Sequence, residues 1–158
     1  MSIKDILIGF TLGFIGSLLA AWAHGIIKNL FKRGRICSPA DGSEVDQIPT
    51  FRGTCNLRGH YHLYLAVKPE GINMYYPQAN EGPLINYANS WDSKAYIGLP
   101  IDRGKKFNVY LMAVDDEAKR IIDFYKEIGN ETGRWFGFTQ LPTKHRILAK
   151  IEVVRRNI

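Results

Sequence analysis

Two histidines, His60 and His62, stand two positions apart, a spacing that puts both on one face of a strand. With Cys37 or Cys55 brought alongside, they would make a nitrogen–sulfur set suited to zinc. The plainer reading, two polar residues on the solvent face of an edge strand, is preferred, so no metal site is expected. A second cluster, Asp115-Asp116-Glu117, has the composition of a cation site or an acid pair. The same residues are better explained as the first turn of a helix, where carboxylates meet the positive end of the dipole. No Gly-rich phosphate loop, nucleophile elbow or zinc-spaced ligand set occurs. The chain is therefore read as a non-enzyme without a cofactor. Asn130-Glu131-Thr132 matches a glycosylation acceptor, which a cytosolic domain would never present to the machinery.

Binding chemistry is better represented. The stretch Gly133-Arg134-Trp135-Phe136-Gly137-Phe138 sets three aromatics and an arginine between glycines, in a region with neither helical nor strand period. Trp and Arg are enriched at binding hot spots. Arg134, Trp135, Phe136 and Phe138 are accordingly the candidate partner-contact loop. The plainer alternative is a loop folded back over the domain. Of the earlier aromatics, Tyr75, Tyr76, Tyr87, Trp91 and Tyr96, some must supply core, with Trp91 the expected buried one.

The N-terminus must position whatever this loop does. From Ile6 to Ile27 no residue carries a formal charge, and a helix needs about 20 apolar residues to cross a bilayer. Gly9, Gly13, Ser17, Ala21 and Gly25 recur at every fourth position within it. In lipid, small residues let backbones approach closely, so these five form the expected helix–helix packing face of a homo-oligomer. Four residues advance about 400° around a helix, which suits a right-handed crossing. The competing reading is a secretory signal cleaved after Ala21-Trp22-Ala23. Against it, the apolar run continues to Ile27 and Asp5 cancels Lys4.

Formal net charge is +6 over 158 residues. Residues 1–35 hold five basic residues against Asp5 alone, a balance of +4, and the rest of the chain carries only +2. Basicity concentrated at Lys28, Lys32, Arg33 and Arg35 reads as a membrane-surface cluster over anionic headgroups. No nucleic-acid partner is expected, because the domain lacks a basic patch. The positive-inside rule puts that cluster and everything after it in the cytosol. The localisation read from the sequence is a single-pass inner-membrane protein with a cytoplasmic domain. Two cysteines are too few for a disulfide framework; one bridge between Cys37 and Cys55 is possible but not implied.

The expected boundaries are a short N-terminus at 1–5, a transmembrane helix at 6–27, a basic linker at 28–35 and a soluble domain at 36–158. In that domain, Phe51–Leu57 reads as a strand broken at Gly53. Tyr61, Leu63, Leu65 and Val67 form the buried face of another. Ile72–Tyr76 is a short strand stopped by Pro77, Trp91–Ile97 ends at Gly98, and Lys106–Val114 alternates cleanly. A helix follows, capped by Asp115 or Asp116, burying Ala118, Ile121, Ile122, Tyr125 and Ile128 and stopping at Gly129. Ile147, Ala149, Ile151 and Val153 line a last strand. About seven short strands with regular turns predict an all-β sandwich with one inserted helix.

The run from Ser38 to Arg155 resembles bacterial immunoglobulin-like modules tethered to membrane helices or signalling proteins. The stretches that carry the likeness are Pro39-Ala40-Asp41-Gly42, Phe51-Arg52-Gly53-Thr54, Tyr64-Leu65-Ala66-Val67-Lys68-Pro69, Tyr75-Tyr76-Pro77-Gln78, Trp91, Gly104 to Val114, and Leu141-Pro142. The resemblance implies an immunoglobulin-like β-sandwich and says nothing of the ligand. The chain departs from antibody-type domains in lacking paired cysteines on opposite strands and in carrying the extra helix. Two functions remain open for a cytosolic domain, and a third, an envelope protein with the domain outside, if the positive-inside reading fails. One is a self-associating scaffold or sensor that binds a protein or an unknown small-molecule ligand. The other is a small membrane effector of a bacterial defence or toxin system, whose clustered helices perturb the bilayer.

Overall fold

A computed structural model describes residues 34–57, 60–78, 84 and 89–157. The chain divides after Lys32, and all the described residues belong to the second unit, Arg33–Ile158. Gly9, Gly13, Ser17, Ala21, Gly25, Lys28, Lys32 and Arg33 lie outside them. Among the described residues no helix is long and apolar enough to cross a membrane.

The domain is mostly β. Its strands are β1 (Gly34–Ser38), β2 (Ser43–Val45), β3 (Thr50–Cys55), β4 (His62–Pro69), β5 (Tyr76–Gln78), β6 (Ser90–Lys94), β7 (Lys106–Val114) and β8 (His145–Arg155). One α-helix, α1 (Asp116–Thr132), connects β7 to β8, and a short 3₁₀ turn, Pro100–Asp102, precedes β7. The strands form a three-stranded sheet, β1-β3-β6, and a five-stranded sheet, β2-β8-β7-β4-β5. All pairings are antiparallel except β2 with β8, which is parallel.

Alternation explains the first core. Phe51 and Cys55 of β3 and Trp91 of β6 meet Leu63, Leu65 and Val67 of β4, Val109 and Leu111 of β7, and Ile151 and Val153 of β8. Full burial of one such aliphatic side chain stabilises by about 1.5–3 kcal/mol. The opposite face of β4 and β7 is also apolar, at Tyr64, Ala66, Met112 and Val114, and Ala118 and Ile122 of α1 cover it. These central strands are thus buried on both sides. Alternation predicts one buried face for each strand; the second is the one α1 covers.

Several boundaries differ from those expected, each for a local reason. The sheet begins at Gly34, so Gly34 and Arg35 belong to β1 and not to a linker. Gly53 does not break β3; it pairs with Ile36 on one side and Trp91 on the other. A Cβ there would lie 1.9 Å from the Arg35 carbonyl oxygen and 2.5 Å from the Trp91 ring, so glycine makes room for the tryptophan. The irregularity falls in β1, where Ile36 pairs with Gly53 and Ser38 with Arg52, leaving Cys37 as the extra residue.

Pro77 lies inside β5, opposite Ala66, which an edge strand tolerates. β6 ends at Lys94, and residues 95–97 bond instead to the loop before β3, through Ala95 N–H to Pro49 O and Ile97 N–H to Gln47 O. In β8 a second bulge pairs Leu111 with Ala149 but Met112 with Ile147. Leu148 is thereby inserted, and Ile147 is carried to the outer face, where it is 49% exposed. The expected face Ile147-Ala149-Ile151-Val153 therefore fails at its first member.

Candidate contact surface

α1 is capped by Asp115, whose side chain accepts the Ala118 N–H at 2.9 Å. It runs past Gly129 to Thr132, and Gly133 caps it in the left-handed region at φ 65°. Gly129 is not a stop because its missing side chain has a use. A Cβ there would meet the Trp135 ring at 2.6 Å. The buried face is Ala118, Ile122, Tyr125 and Gly129. Ile121 is instead 40% exposed and Phe124 62% exposed; with Ile128 they share one flank of the helix at three- and four-residue spacing.

The loop after α1 divides between packing and display. Trp135 stands edge-on to Tyr125, ring centroids 5.4 Å apart. Phe138 lies 5.0 Å from the same tyrosine. Its backbone pairs with Tyr75 through two bonds, Tyr75 N–H to Phe138 O at 2.7 Å and Phe138 N–H to Tyr75 O at 2.8 Å. A Cβ on Gly137 would strike Met74, so this segment too lies close against its neighbours. Tyr125 holds the cluster from below, and burial pushes its phenol up to about 12. Of the four expected contact residues, Phe138 and most of Trp135 serve to pin the loop. Phe136, at 61% exposure, and Arg134 face outward. The exposed apolar flank of α1 was missed from sequence. Its signal is Phe124, an aromatic falling off the buried face of an otherwise amphipathic helix.

The polar candidates resolve differently. His62 opens β4, an interior strand and not an edge one. Its Nε2 lies 2.7 Å from Asp116 Oδ1. The hydrogen bond from His62 is the main reason the Asp116 carboxyl is held below its ordinary value. Asp115 is the helix cap and Glu117 pairs with Lys144 across the loop, so the acidic triplet serves to seat α1. Tyr64, beneath the helix, directs its hydroxyl toward Asp123, which is also paired with Lys119. Burial, then the Asp123 charge, pushes that phenol far up. Cys55 is buried, and burial raises its thiol to about 11, a poor source of thiolate for a metal. Cys37 is exposed, and the two are not bridged. Among the described residues no three ligand-type side chains are grouped to hold a metal ion. Of the basic cluster, Arg35 is described, exposed on β1 opposite Thr54.

No protein-family model matches the chain, and no curated protein or solved structure matches it either.

Proposed function

We propose that this is a non-enzymatic, single-span membrane protein that self-associates through its apolar segment and uses an immunoglobulin-like domain in the cytosol to bind a protein partner or ligand. The observation that carries the reading is the uncharged run from Ile6 to Ile27, with small residues at every fourth position, followed at once by Lys28, Lys32 and Arg33. β1 begins at Gly34, seven positions after that run ends. The immunoglobulin-like reading draws support from strand order. The first strands divide between the sheets, β1 joining β3 and β6 while β2 joins β8, β7, β4 and β5. Immunoglobulin sandwiches pack two such sheets over one core with Greek-key connections. The contact role rests on Phe124, Phe136 and Ile121, large apolar side chains left in solvent on α1 and the loop after it. Tethering copies through their spans would raise the effective concentration of these surfaces.

The test is topology and association together. C-terminal fusions to reporters active on only one side of the membrane should report a cytosolic C-terminus. Gly13→Leu should lower cross-linked oligomer while leaving membrane insertion unchanged. An external C-terminus, or unchanged oligomer, overturns the corresponding half of the proposal. Depolarisation of cells on induced clustering, abolished by Gly13→Leu, would replace the scaffold role with that of a membrane effector.

A further inference from the structure

Arg155 ends β8 on the face that carries Ile151 and Val153, and it pairs with the buried Val45 of β2. It is only 6% exposed, and its Nε has no hydrogen-bond partner among the described residues. An Nε–H shut off from both water and an acceptor is costly. Three carboxylates on the neighbouring segments do not relieve it. Asp102 is taken by Lys105 at 2.8 Å, Glu152 by Lys106 at 2.8 Å, and Asp46 by Arg156 at 3.1 Å. Asp102 also accepts the Leu99 N–H through its second oxygen at 2.8 Å. These three acids thus serve other cations, and among the described residues none is ion-paired with Arg155.

The backbone fixes what surrounds it. Gly104 N–H donates to Arg155 O at 2.8 Å, Arg155 N–H to Lys105 O at 2.9 Å, and Arg156 N–H to Val45 O at 2.8 Å. The end of β8 is therefore laced to the segment before β7. That segment carries Leu99 and Ile101, which are 56% and 80% exposed.

We infer that Arg155 anchors a binding site for an oxyanion, a carboxylate or phosphate bearing an apolar group, at the end of the sandwich formed by β2, β8 and the segment before β7. The planar guanidinium fork matches either oxyanion. The exposed Leu99 and Ile101 supply the surface for the apolar part. This site lies apart from α1 and its loop, and it stands whether or not the membrane reading holds.

The test uses the full chain in non-ionic detergent, with acetate, hexanoate and inorganic phosphate as probes at constant ionic strength. The arginine Nε–Hε resonances are followed by NMR. Arg155 should shift saturably, and hexanoate should saturate it at lower concentration than acetate. The order of hexanoate and phosphate then separates a carboxylate ligand from a phosphate one. Arg155→Met should weaken binding roughly 10- to 100-fold, the usual worth of charged hydrogen bonds, read by the loss of probe-dependent rise in Tm. Arg155→Lys keeps the charge without the fork and should bind more weakly than the parent. A non-saturating Arg155 resonance, an equal rise in Tm for Arg155→Met, or acetate binding as tightly as hexanoate overturns the proposal.

Discussion

Gly53 and Gly129 both make room for a tryptophan ring, but a side chain added at each meets an obstacle of different stiffness. At Gly53 the nearest obstacle to a Cβ is backbone, the Arg35 oxygen, with the buried Trp91 ring behind it. Neither can retreat, so Gly53→Ala should cost about 3 kcal/mol or more, measured by chemical unfolding. At Gly129 the obstacle is Trp135, a partly exposed ring on a loop. There alanine gains up to about 1 kcal/mol of helix propensity while displacing the ring. Gly129→Ala should leave stability nearly unchanged and red-shift the tryptophan emission, recorded in a Trp22→Phe background where the buried Trp91 contributes a constant signal. The cysteines make a second residue-scale contrast. Cys37 is the exposed extra residue of the β1 bulge, and Cys55 is buried with its thiol raised to about 11. A thiol reagent at pH 8 should titrate Cys37 in the native protein and reach Cys55 only on unfolding.

At the scale of elements, polar side chains set the ends. Asp115→Ala removes the α1 cap and should cost about 1 kcal/mol, seen as a lowered denaturation midpoint. Asp102 closes the turn before β7 with bonds to Lys105 and to Leu99 N–H, and these hold its carboxyl below the ordinary value. A carboxyl depressed on folding contributes stability above its unfolded pKa, about 3.9, and loses it as pH falls through the folded one. Asp102→Asn should therefore be less stable than the parent at pH 7, and the two unfolding midpoints should converge as pH drops below about 4.

Period alone located β4, β7, β8 and α1, because each buries one face over most of its length. It misplaced what tertiary contact decides. Gly129 read as a stop because nothing local announces that Trp135 will lie over it. Ile147 read as core because a bulge that inserts Leu148 leaves no mark in an unbroken apolar alternation. β5 was displaced past Pro77 since the sequence does not say which strand is an edge. The contact loop was legible by composition, but which of its aromatics pin it depends on Tyr125, a helix residue. Arg155 gave no signal, being one more basic residue near the end of an alternating strand.

At the scale of the whole molecule, the break after Lys32 predicts that the chain from Arg33 onward folds by itself. That fragment should show a single cooperative thermal transition with mixed strand and helix circular dichroism. In the full chain, Phe124→Ser with Phe136→Ser should reduce association without lowering Tm, because both rings are already in solvent. A lowered Tm would place them in the domain's own packing.

The parallel pairing of β2 with β8 bears on force. Ser43, Glu44 and Val45 lie beside Val153, Val154 and Arg155, pointing the same way. Gly42 N–H to Glu152 O and Glu152 N–H to the Asp41 side chain extend the seam. One strand lies near the start of the domain and the other near its end, so tension between the two ends slides them lengthwise past each other. Their bonds are then loaded together and not peeled one at a time. Force entering at Gly34 meets β1 and its pairing with β3 first and then this seam, and Asp41→Ala should lower the rupture force in single-molecule pulling.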